Sequence, residues 1–184
     1  MHAFSIRSLL VALVVALPIA ASTPAIAASK SDLESSSKSA LDKLVAQVPG
    51  ANALNSKAVA VLVFPSITKA GFVVGGQFGE GVLWRKGAPV GYYNTAGASY
   101  GLQAGAQQYG YAMFFMNQKA LDSLNSTQGF EVGVGPSVVV LDSGMAKNVT
   151  SGTLTEDIYA FVFAQKGLMA GIGIQGNKIS KIKK

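Results

Sequence analysis

No cysteine occurs in the chain, and its single histidine is the second residue. The first absence excludes disulfides, cysteine-ligated zinc and iron–sulfur clusters. If the leader read below is removed, the second excludes a Ser-His-Asp triad, a Cys-His pair and any zinc site built on imidazole. Charge is also scarce, at 13% of residues, and no Asp-x-Asp-x-Asp loop offers a cage of oxygen ligands. Carboxylates, lysines, hydroxyls and backbone amides are left as the reactive groups. No catalytic residue, metal ligand or cofactor site is expected from such a set, and the protein reads as a non-enzyme.

Glycine, by contrast, is plentiful. All 21 glycines lie beyond residue 27, so that remainder is ~13% glycine against an ordinary share of roughly 7%. Residues 1–27 read as a secretory leader: Arg7 gives a positive start, Leu9 to Ala20 is apolar, and Ala25-Ile26-Ala27 fits the small-x-small cleavage pattern. The apolar run is short for a membrane-spanning helix. Residues 28–184 are then expected to form one exported domain, with a helical segment at 28–56, a glycine-rich β core at 57–177 and a basic tail at 178–184.

That tail holds Lys178, Lys181, Lys183 and Lys184, four of the positive charges behind a formal net charge of +6. The body is close to neutral. Attraction of the tail to an anionic membrane surface is the expectation drawn from this; without a broad basic stripe, nucleic acid is not expected as a partner. Ile179 and Ile182 could rest a short amphipathic turn on the interface. The other local cluster of base and ring is Trp84, Arg85 and Lys86.

From Ser29 to Val48, apolar residues at Leu33, Ala40, Leu41, Leu44, Val45 and Val48 fall on one side of a helix, which Pro49-Gly50 should stop. The period then changes to two. Lys57 to Phe64 reads as a strand buried on both faces and closed by Pro65-Ser66, and Gly97 to Gln107 alternates almost throughout. Further strands are expected at 72–84, 90–93, 130–141, 158–165 and 168–175, with one short helix at Asn117 to Leu124. Interior glycine recurs in these strands, as at Gly79, Gly81, Gly97, Gly101 and Gly105. It is tolerated where a sheet bends sharply or two backbones come close, so the fold class is α+β: a strongly curled antiparallel sheet or barrel-like core flanked by the amphipathic N-terminal helix.

Familiar chemical motifs fail on inspection. Gly75-Gly76-Gln77-Phe78-Gly79-Glu80-Gly81 is neither a dinucleotide fingerprint nor a P-loop. Ser35 to Lys38 and Ser66 to Lys69 match Ser-x-x-Lys without the companion motifs of penicillin-recognising enzymes. Glu156-Asp157, an adjacent acidic pair before a strand, suits turn capping better than a glycosidase site.

The strand segments carry a resemblance. Lys57 to Ser66, continuing through Lys69-Ala70-Gly71-Phe72 to Gly79-Glu80-Gly81-Val82-Leu83, then Gly97 to Gln107, Gly133-Val134-Gly135-Pro136, Ile158-Tyr159-Ala160-Phe161 and Lys166 to Gly171, together resemble the SYLF domain, also called the Ysc84 actin-binding or DUF500 domain. The resemblance spans about 29–179. It implies phosphoinositide or other lipid binding, actin binding in some eukaryotic members, export in bacterial members, and no catalysis. A departure stands out: Lys30, Lys38 and Lys43 in the N-terminal helix are balanced by Asp32, Glu34 and Asp42, and a Sec-type leader argues against a cytoplasmic actin partner. The sequence therefore points to an exported, periplasmic, membrane-peripheral protein that binds anionic lipid. Its expected contacts are Lys178, Lys181, Lys183, Lys184, Trp84, Arg85 and Lys86. The rival reading is a periplasmic structural or envelope-stress module that binds protein.

Overall fold

A computed structural model describes residues 28–125, 129–141, 155–167 and 176–184, with the side chains at 72–73, 99–104 and 165–167 outside the description. Helix α1 (Lys30–Gln47) opens where Ser29 Oγ accepts a hydrogen bond from the Asp32 amide at 3.2 Å, satisfying one of the orphan N–H groups of the first turn. Leu33, Ser37, Leu41 and Leu44 form its buried side, at the spacing of one helical face. Helix α1 ends just before Pro49-Gly50, as expected, and the helical segment continues beyond it. Pro49 begins a second helix, α2 (Pro49–Lys57), because a proline in the first turn gives up no intrahelical bond and already has the required φ.

Two very long strands follow. β1 (Ala60–Arg85) and β2 (Ala88–Phe115) pair antiparallel from Arg85↔Ala88 out to Ala60↔Phe115. Their connection is the two residues Lys86 and Gly87, with φ of 51° and 79°, the left-handed pair whose twist matches a hairpin. The shorter strands expected at 57–64 and 72–84 are thus one strand, as are those at 90–93 and 97–107. Pro65-Ser66 does not close the first of them, because a register shift between Phe64 and Ile67 absorbs the proline, and among the described residues β1 pairs with β2 alone, so a missing N–H is tolerated.

β1 doubles over along its length. A Cβ placed on Gly79 would lie 2.6 Å from Ile67 Cγ1, and one on Gly81 would lie 2.7 Å from Phe64 Cδ1. Two halves of one strand therefore press together, and only glycine leaves room for the contact. This is the curl that the glycine content implied.

After β2 come α3 (Gln118–Leu124), β3 (Phe130–Glu131), β4 (Val138–Leu141), β5 (Ile158–Gly167) and β6 (Lys178–Ile182). The sheet runs β3-β6-β2-β5-β4, with β1 on β2. Its pairs are antiparallel apart from β4 and β5, which are parallel, so the sheet is mixed rather than purely antiparallel. The expected strand over 130–141 is two short strands split around Gly133 and Gly135, and the one expected at 168–175 lies outside the described residues. The expected basic tail is strand β6. It pairs with β2 from Tyr92↔Ile182 to Ala96↔Lys178 and buries Ile179 completely.

Both faces of the sheet are covered. Inside the curl, Leu62, Phe64, Ile67, Tyr109, Tyr111, Met113 and Ile179 pack with Leu121 and Leu124 of α3. Outside it, Val61, Val63, Val82, Trp84, Phe114 and Phe161 pack under α1 and α2. The two-sided apolar run at Ala58 to Phe64 follows from this: its alternate residues serve two separate cores.

Candidate functional site

Where α1 crosses the outer face it does not close completely on the sheet. A groove of about 1180 Å³ opens between Leu33, Ser36, Ala40, Leu44 and Val48 of the helix side, Pro65, Thr68 and Phe78 of β1, and Phe161, Val162 and Phe163 of β5. It exceeds the ~300–1000 Å³ usual for small-molecule pockets, and like them it is walled by apolar side chains with polar groups at the margin. Ala164 at its edge has φ of 51°, beside the register shift where β5 gains residues on β2; such bulges re-aim neighbouring side chains. Phe78 is 50% exposed although it is a large apolar residue.

Polar contacts hold α1 over this groove. Trp84 Nε1 donates to Ser37 Oγ at 2.8 Å, and Ser37 Oγ donates to the Val63 carbonyl at 3.4 Å. Tyr92 Oη donates to Glu34 Oε1, and Lys30 Nζ lies 5.6 Å from the Tyr92 ring centre. Its hydrogen bond to Glu34, with burial and the neighbouring carboxylate charge adding to it, pushes the Tyr92 phenol up to about 12. At one end, Lys184 Nζ donates to Glu80 Oε2 and to the Ala28 carbonyl, each at 2.8 Å.

The contacts expected from the sequence are scattered by these placements. Trp84 is 8% exposed and its indole is spent on Ser37, so it belongs to the core beneath α1 and not to a surface. Arg85 donates to Gln118 Oε1 at 3.2 Å, and Lys86 stands in the hairpin turn. Lys178 and Lys181 are three apart in β6 and project to opposite faces. Lys183 is exposed. Lys184 alone reaches the groove, as the partner of Glu80, which lines it. Lys43 was not among those expected; it lines the groove, is exposed and forms no ion pair among the described residues. Sequence offered little signal for it, since the acids of α1 offset its charge.

A second polar group lies inside the curl. Tyr109 Oη donates to Gln77 Oε1 at 2.5 Å, and Gln77 Nε2 donates to Asn177 Oδ1. Burial drives the Tyr109 phenol up to about 12, against a smaller lowering by Asn177. Burial likewise raises Tyr111, whose Oη lies 3.4 Å from Thr95 Oγ1.

Among the described residues no three His, Cys, Asp or Glu side chains gather to hold a metal ion, and no helix is long and apolar enough to cross a membrane. Asp157 of the acidic pair is occupied structurally. It accepts from Asn117 Nδ2 at 2.8 Å and from the Ser137 amide at 3.3 Å.

In a comparison with protein families, residues 96–184 fit the family model Ysc84, described as "Las17-binding protein actin regulator". No curated protein matches the chain significantly.

Proposed function

Starting from the match of residues 96–184 to the Ysc84 family model, we propose that the chain is an exported, non-catalytic protein that binds anionic lipid and seats an apolar chain in the groove beneath α1. The groove is the observation that carries this reading. Its walls are mostly apolar, its volume is about 1180 Å³, and of the charged residues that line it Glu80 is paired with Lys184, leaving Lys43 and Asp32, an arrangement suited to a molecule with a long apolar part and a negative end that Lys43 can meet. The family is associated with lipid and with actin binding. Between these, the leader-like residues 1–27 favour lipid, because an exported chain does not meet cytoplasmic actin.

The site is a cleft between a helix and a sheet, so lipid capture needs no insertion of α1 into the bilayer. Lys30, Lys38 and Lys43 balanced by Asp32, Glu34 and Asp42 would make a poor electrostatic anchor.

Sedimentation with phosphatidylglycerol vesicles and with phosphatidylcholine vesicles, for wild type and Ser36→Trp, tests the proposal. Ser36 is exposed and lines the groove, so tryptophan there fills the space without disturbing the core. Preferential binding to the anionic vesicles, reduced several-fold in Ser36→Trp at unchanged circular dichroism, is the expected outcome. Equal binding by both proteins would remove the groove from the mechanism. No binding by either would favour the protein-binding module instead.

A further inference from the structure

Apart from the groove, the inside of the curl holds a cation without a counter-charge among the described residues. Lys69 of β1 is 8% exposed, between the exposed Thr68 and Ala70, and it projects inward with Ile67. It forms no ion pair and no hydrogen bond among the described residues, where the ion pairs are Lys38–Asp42 and Lys184–Glu80. A buried ammonium with no anion beside it is strongly disfavoured, and proteins normally pair it.

The neighbouring polar groups are incomplete in a complementary way. Gln107 is the ladder partner of Lys69 on the same face. It is 2% exposed, and its Oε1 is a buried acceptor with no donor among the described residues. Tyr109 follows on that face, and through Gln77 it leads to Asn177, which is 1% exposed and whose Nδ2 is a buried donor with no acceptor among the described residues. Native structures leave few buried polar atoms unpaired, so two orphans in one cluster with an unpaired cation call for a common explanation.

We propose that Lys69, Gln107 and Asn177 form an interior site for a phosphate group, distinct from the groove beneath α1 and independent of the lipid reading. The chemistry matches term by term. Phosphate oxygens accept from the Lys69 ammonium and from Asn177 Nδ2. A protonated phosphate oxygen, or a hydroxyl on the group that carries it, donates to Gln107 Oε1. Phosphate retains such a proton on part of the population near neutrality, its second pKa being ~6. The Tyr109–Gln77–Asn177 chain fixes the Asn177 amide, since its Oδ1 is already committed to Gln77. The phosphate could belong to a lipid headgroup or to a soluble molecule, and the two sources share this recognition.

The test titrates wild type, Lys69→Met and Gln107→Leu with inorganic phosphate, glycerol phosphate and short-chain phosphatidic acid, against sodium chloride of matched ionic strength, reading melting temperature and calorimetric heat. Wild type should be stabilised by at least one of the phosphate compounds over chloride. Lys69→Met should lose that response and, without ligand, melt no lower than wild type, because an unpaired buried charge has been removed. A response to all three compounds assigns the site to phosphate at large; a response to phosphatidic acid alone assigns it to a lipid headgroup. If no compound stabilises wild type, or if Lys69→Met responds as wild type does, the proposal is wrong. If Lys69→Met fails to fold, Gln107→Leu decides: it should fold and bind phosphate several-fold more weakly, and unchanged binding would overturn the site. Loss of vesicle binding in Ser36→Trp leaves this result unaffected, so the two readings fail separately.

Discussion

Asp157 shows how one side chain ties three elements. Its carboxylate accepts from Asn117, whose own Oδ1 caps α3 through the Ala120 amide at 2.8 Å, and from Ser137 just before β4. The Asn117 hydrogen bond first, and the Ser137 amide next, hold the Asp157 carboxyl below its ordinary range. A depressed carboxylate stabilises the folded state above its unfolded pKa and loses that contribution as pH falls through the folded value. Asp157→Asn should therefore lower the melting temperature at neutral pH, and the difference from wild type should shrink in acid; a constant gap across a pH series of thermal melts would show the charge to be irrelevant. Ser37 has an equally specific role, because Ser37→Ala strands the Trp84 indole N–H in the core. The expected cost is roughly 1–3 kcal/mol, measurable by denaturant unfolding with Ser36→Ala as the exposed control. At Gly81, a valine side chain would have to enter the space of Phe64, and overpacking of that kind costs about 1–3 kcal/mol; unchanged stability would mean that the two halves of β1 are not in contact.

At the scale of elements, β6 is the segment whose sequence and structure diverge most. Lys178 to Ile182 reads as a solvated cationic end because lysine dominates it, yet the strand needs only alternate apolar positions, and Ile179 between Thr95 and Phe130 supplies the buried one. Truncation after Asn177 should therefore abolish cooperative thermal unfolding, whereas Lys181→Gln with Lys183→Gln should leave it intact. Ile179→Ala should cost ~2–5 kcal/mol as a core deletion does. Legibility elsewhere followed the strength of local periodicity. The buried face of α1 and the extended course of 97–107 were readable because each pattern repeats within a few residues. The joining of strand pieces into β1 was not, since Pro65 looks like a stop until the ladder shows a bulge that absorbs it. The groove was hidden because its walls come from α1, β1 and β5, and the Gln77–Asn177 bond spans a hundred residues. Such juxtapositions leave no periodic trace in the chain.

For the molecule as a whole, the bookends of the sheet matter less than the hairpin at its centre, on which β5 and β6 both assemble. Vesicle binding should divide into two parts on the same scale: added salt should remove the share due to Lys43 and the other exposed lysines and leave a residue due to the apolar groove. Salt that abolishes binding altogether would mean that no apolar chain enters. The hairpin also sets an order of events. From the Lys86-Gly87 turn, each further pair closes a loop only slightly larger than one already closed, so zippering outward from the turn incurs little additional loop entropy per step. Pairing first at Ala60 and Phe115 would instead close the whole excursion at once. The nucleus for folding is therefore expected at the turn, and Gly87→Val, which forces a β-branched residue to φ of 79°, should slow refolding with little change in the unfolding rate. Ile158→Val, in β5 opposite Phe115 at the end of β2 remote from the turn, should do the reverse and chiefly hasten unfolding. In stopped-flow chevrons the first substitution moves the folding arm and the second the unfolding arm, so a hairpin read here from register alone becomes a statement about time.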